Sequence, residues 1–143
     1  MGNRRVSLKE GIKFHGHLGP WLVLGLLVGE AAISKLGCKK HFGLSVKAWG
    51  ANQRPKSCLI DGLQLATGAT YGKGNIEKLN GRAVKIEVCS RDANKKAVFK
   101  LRQDLLKRLE KADTHEESEI LAKIIFRSKP SKLFCITIST PNY

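Results

Sequence analysis

Three side chains in this sequence, His15, His17 and Cys58, are of the types that bind soft or borderline metal ions. The histidines flank Gly16 in a segment expected to lie between two helices. Extended residues two apart point to the same side, and Gly16 removes the steric limit on bending between them. Two imidazoles can then face one ion; the other reading is a pair of histidines capping neighbouring helices. Cys58 stands at the expected start of a helix, where the dipole and free amides would stabilise a thiolate. Asp61 follows one turn on and Gln64 three residues later, so that one helix would present a polar ridge. Leu59, Ile60, Leu63 and Leu65 are left for packing. Equally, Cys58 can be a small buried hydrophobe and Asp61 a local cap. If the histidines and Cys58 converge, they form a mixed nitrogen and sulfur site suited to zinc at about 2.0–2.3 Å. A fourth position would be open to water, as in catalytic sites. Asp61 is then the acceptor that holds an imidazole, or a general base and proton carrier.

The segment Gly68 to Asn75 is glycine-rich, but it is not a phosphate loop. Only three residues separate Gly68 from Gly72-Lys73, and Gly74 follows the lysine where Ser or Thr is required. The loop can still approach a ligand through its amides, with Thr70, Lys73 and Asn75 as supporting side chains beside Gln64. The alternative is a set of tight-turn glycines.

The elements that must position these residues are legible from periodicity. Ser7 can cap a helix over Leu8 to Phe14, and Pro20 suits the first turn of a second, which Gly37 stops. Gly25 and Gly29 share one side of that second helix, for close packing in the core or against a twin subunit. Leu44, Val46 and Ala48 alternate as a strand, and Ser57 can cap the helix over Cys58 to Thr67. Val84, Ile86 and Val88 lead through Asp92-Ala93-Asn94 into Ala97 to Phe99, a hairpin. Leu101, Leu105, Leu106 and Leu109 give a helical stripe, Glu116 to Phe126 a second, and Leu133 to Ile138 a final strand. The pattern predicts an α+β fold, a mixed sheet of about four strands covered by helices, in a single domain over 1–143.

The longest apolar run, Leu18 to Val28, is 11 residues; a bilayer needs about 20. No secretory signal precedes it, so a cytoplasmic protein with no membrane role is expected. The four cysteines are 20, 31 and 46 residues apart and form no C-x-x-C pair, so they are read as reduced thiols. A net charge of +14 favours anionic partners, nucleic acid among them. No nucleic-acid motif accompanies that charge, and a generally basic, solvated surface accounts for it as well.

The blocks FHGHLGPWLVLGLLVGEAA (residues 14–32) and SCLIDGLQLATGATYGKGNI (57–76) closely resemble the two signature blocks of the FmdE family, the E-subunit family of formylmethanofuran dehydrogenase. Blocks and following strands cover about two-thirds of the chain; the helices and strand over 101–138 fit more loosely. The resemblance is to a short, stand-alone, archaeal-type member, since no paired cysteines of a zinc ribbon follow Cys89. It implies an α+β core, commonly a homodimer, with a metal pocket between the blocks. It places the histidine pair on His15 and His17, the pocket cysteine on Cys58, and the helix polar residues on Asp61 and Gln64. Many members have cysteine where this chain has Gly19 and Ala69, which implies a leaner site for one zinc-like ion. In the namesake complex the molybdenum or tungsten chemistry belongs to other subunits. The expectation is therefore a zinc-binding accessory subunit, with a place in a larger complex, or a small metal-dependent enzyme. The alternatives are a non-catalytic dimeric interaction module and a polyanion binder.

Overall fold

The structure is a computed structural model that describes residues 6–140. Among the described residues there are six α-helices and a five-stranded sheet of order β2-β1-β3-β4-β5. The strands are β1 (Leu44–Trp49), β2 (Ile76–Leu79), β3 (Lys85–Ser90), β4 (Lys96–Leu101) and β5 (Phe134–Ser139). β1 and β2 run parallel and every other neighbouring pair is antiparallel, so the sheet is mixed. The helices are α1 (Leu8–His15), α2 (Pro20–Leu36), α3 (Cys58–Thr67), α4 (Gln103–Lys111), α5 (His115–Arg127) and α6 (Pro130–Leu133).

Alternation along the strands decides which sheet face is covered. Leu44, Val46, Ala48, Ile86, Val88, Ala97 and Phe99 are fully or almost fully buried on the helix side. Their neighbours Ser45, Lys47, Trp49, Lys85 and Lys100 are half-exposed or exposed on the other. Phe99 meets Phe134 of β5 edge-to-face, ring centroids 6.1 Å apart.

Helix α2 is apolar almost all round and lies in the core with Leu22, Val23, Leu24, Leu26 and Val28 at 0% exposure. It crosses α3 with the two backbones in contact. A Cβ on Gly25 would strike the Leu59 carbonyl, one on Gly62 the Leu22 carbonyl, and one on Gly29 would lie 2.6 Å from Ala66 Cβ. Gly25 and Gly29 therefore face α3 rather than a twin subunit. Parallel β1 and β2 require a crossover, and α3 is that crossover, so its first turn sits beyond the carboxyl end of β1.

The Ser7 cap forms as expected, its hydroxyl accepting the Glu10 amide at 3.0 Å. Three expectations change. Ser57 has helical backbone angles and makes no capping bond. Leu101 ends β4 instead of starting a helix, and β2 is a strand that periodicity does not show. Among the described residues no helix is long and apolar enough to cross a membrane.

Candidate functional site

His15 is the last residue of α1, and Gly16 closes the helix in the left-handed region at φ 111°, its amide donating to the Ile12 carbonyl. The expected extended segment is thus a helix end followed by a glycine reversal. It brings the two rings together all the same: the His15 and His17 centroids are 4.7 Å apart, tilted by 39°. A side chain at position 16 would be strained at that angle, which is why the reversal needs glycine.

Asp61, one turn into α3, takes the Nδ1–H of His15 on Oδ2 at 2.6 Å. The His15 side chain is only 9% exposed, that of Asp61 39%. In the neutral ring, Nδ1 donation leaves the lone pair on Nε2, and that atom is buried without a hydrogen-bond partner. The Asp61 carboxylate thus holds the orientation of the His15 imidazole. A carboxylate on one ring nitrogen and a free lone pair on the other is the arrangement that orients metal-binding histidines.

Cys58 and His17 line a common cleft of about 260 Å³, floored by Leu18, Trp21 and Leu109. Its far wall is the α4–α5 connection, with Asp113, Thr114 and His115. Sequence reasoning misses that wall. Its one signal is Thr114 followed three residues on by Glu117, whose amide the Thr114 hydroxyl caps at 3.0 Å, fixing the start of α5. His115 itself pairs with Glu119 at 2.7 Å.

Cys58 departs from the expected thiolate. The amides that open α3 are already taken, Cys58 N–H by the Pro55 carbonyl and Leu59 N–H by that of Lys56, both at 3.1 Å. Burial pushes the Cys58 thiol above its ordinary pKa, and the Asp61 charge adds to the rise while Arg54 opposes it.

The other four expected residues hold the glycine loop together. Gln64 Oε1 accepts the Tyr71 amide at 3.2 Å, and Thr70 Oγ1 accepts from the amide and Nζ of Lys73. Asn75, 7% exposed, accepts the Thr70 amide and donates to the carbonyls of His41 and Leu44. These bonds make the loop a tight turn tied to the start of β1.

Two imidazoles and a thiol are the donor chemistry of zinc, and the orphaned Nε2 of His15 fits a ligand role. Among the described residues, however, no three His, Cys, Asp or Glu side chains stand together as a set for one ion. A Cβ at Gly19 would lie 3.1 Å from His17 Nε2, so the glycine leaves open the space beside that nitrogen.

Comparison with known proteins bears on the same residues. The family described as "FmdE, Molybdenum formylmethanofuran dehydrogenase operon" matches residues 14–141. A curated relative from Archaeoglobus fulgidus, described as a probable S-adenosyl-L-methionine-binding protein, is 30% identical over 122 residues, 84% of this chain. The chain spans only 32% of that relative's length. Among solved structures, the fold resembles an FmdE-like protein of the tungsten formylmethanofuran dehydrogenase type from Syntrophus aciditrophicus. The TM-score is 0.64 at 20% identity, covering 99% of this chain and 78% of the other. With the histidine pair, Cys58 and Asp61 all inside the matched region, the chain belongs to the FmdE family.

Proposed function

We propose that this FmdE-family chain binds one zinc-like ion through His15 Nε2, with His17 and Cys58 as further donors. The observation that carries the reading is the buried, unpartnered Nε2 of His15, aimed by the Asp61 carboxylate on the opposite ring nitrogen. An ion held there would supply Lewis-acid chemistry. The residues themselves supply placement: Asp61 fixes the His15 ring, and Gly16 sets His17 beside it. Closing three donors on one ion requires His17 or Cys58 to turn from the position described. His17 is exposed and free to do so.

The test is elemental analysis of the purified protein after zinc loading and dialysis, with His15→Ala, Cys58→Ala and Asp61→Asn in parallel. The expected result is about one ion per chain, lost in the first two variants. Asp61→Asn should keep the fold and weaken zinc affinity by about 10- to 100-fold, the usual effect of removing such an orienting partner. No zinc in the native protein would end this reading.

The archaeal relative's description makes S-adenosyl-L-methionine a ligand to titrate against the loaded protein, with the cleft beside His17 as its place. The dimer implied by family resemblance has to use a surface other than the Gly25–Gly29 ridge, which α3 covers. Mass in solution tests for it.

A further inference from the structure

We propose that the Trp49 end of the open sheet face, with the groove beside it, binds single-stranded nucleic acid. The face opposite the helices carries a row of directly paired residues, Trp49↔Lys85↔Lys100↔Cys135, running across four strands. Lys85 Nζ lies 4.2 Å from the centroid of the Trp49 ring. Lys85 and Lys100 stand directly opposite each other, and like charges so placed repel. One row further along, Lys47 is paired with Glu87, which also meets Lys96 at 3.8 Å. Among the described residues, lysines are thus paired with carboxylates in one row and have no carboxylate opposite them in the row that holds the half-exposed tryptophan.

The groove continues that surface. It has a volume of about 490 Å³, lies between the β1–α3 and β2–β3 connections, and is lined by Asn52, Gln53, Arg54, Lys56 and Asn80 with Gly50. Among the described residues its lining contains two cations, three side-chain amides and no carboxylate. Asn52 bonds Asn80 across it, and Gly81 lies against Trp49, where an added Cβ would be 3.0 Å from the tryptophan Cβ. The groove also sits outside the carboxyl ends of the parallel pair β1 and β2, where open α/β sheets place ligands. Cations, amides and an aromatic ring along one surface answer to phosphates, base edges and base faces, a stacked base taking the place of the Lys85 ammonium over Trp49.

Three physical constraints narrow the occupant. A duplex hides its base faces from a flat sheet, whereas a single strand offers them for stacking. A free nucleotide needs a site that encloses most of its surface. This groove is lined mainly by exposed side chains, so affinity has to come from several phosphates at once. A second copy of the chain would set like-charged faces together, at a net charge of +14 each.

The proposal uses none of the proposed zinc donors, and the test is run with the full chain. Oligothymidylate of about 12 nucleotides, within the site sizes of single-strand binders, is titrated at about 50 mM salt. Trp21 is 5% exposed, so quenching of tryptophan emission reports on Trp49. Binding should fall steeply with salt. The double variant Lys85→Gln/Lys100→Gln, which removes a repulsion and keeps the fold, should lower the salt slope by about two. Lys107→Gln/Lys111→Gln, exposed on α4, makes the same change in net charge and should leave binding nearly unchanged. Absence of quenching and binding overturns the proposal. So does an equal loss in both double variants, or thymidine monophosphate binding as tightly as the oligomer.

Discussion

At the scale of single residues, one hydrogen bond organises the candidate site. A carboxylate 2.6 Å from His15 Nδ1 orients the ring and, when the imidazole is neutral, makes the buried Nε2 the acceptor. The same carboxylate works against Cys58, since a second negative charge one turn away disfavours the thiolate. The sign follows directly: burial and Asp61 both favour the protonated thiol, so in the metal-free protein Cys58 ionises at higher pH than an ordinary cysteine. Its alkylation by iodoacetamide, followed by mass spectrometry across pH, should show a midpoint above that of free cysteine. A midpoint below it would mean that the helix start stabilises the thiolate after all. Residue types and spacing make the histidine pair, Cys58 and Asp61 legible as candidates, although a helix end and a glycine reversal, not an extended segment, join the rings. The loop side chains are less legible. Asn75 bonds to carbonyls 31 and 34 residues earlier in the chain, a pairing that no local pattern encodes.

At the scale of elements, the site depends on how closely α2 and α3 approach. Gly25 and Gly62 sit backbone to backbone, and that contact sets where the first turn of α3, with Cys58 and Asp61, stands relative to the rest of the core. Gly25→Ala or Gly62→Ala forces a methyl into a carbonyl and should destabilise the fold by about 2–3 kcal/mol. Gly72→Ala meets nothing closer than 3.8 Å and should stay within about 0.5 kcal/mol of the parent. Equal midpoints in urea for all three would show that the crossing is loose. Helix and strand periodicity carries most of the fold because most elements bury one face. Strand β2 escapes because its four residues, with burial on one end only, show no alternation. It exists because the crossover through α3 returns the chain alongside β1, which is a tertiary cause. Leu101 misleads for the converse reason: its spacing to Leu105 is helical, but pairing with Phe134 holds it in the sheet.

At the scale of the whole molecule, charge is the dominant feature: 26 basic against 12 acidic side chains over 143 residues. Self-repulsion of that size weakens a compact state. The opposing attractions are small. Pairs such as Lys96–Glu87 at 3.8 Å and the exposed His115–Glu119 are each of a kind worth about 0–1 kcal/mol. Salt weakens both kinds of interaction, but repulsion acts over longer distances than a contact pair. Screening shortens from about 30 Å at 0.01 M to about 8 Å at 0.15 M, so it removes repulsion first. The thermal midpoint should therefore rise by a few degrees between those concentrations of potassium chloride, the shift that about 1 kcal/mol produces in a domain of this size. A midpoint that fell with salt would mean that attractive pairs outweigh the excess positive charge. The Lys85→Gln/Lys100→Gln protein localises the effect, because it removes the uncompensated cross-strand pair. If that pair is a main source of the repulsion, the variant starts with a higher midpoint and gains less from salt than its parent.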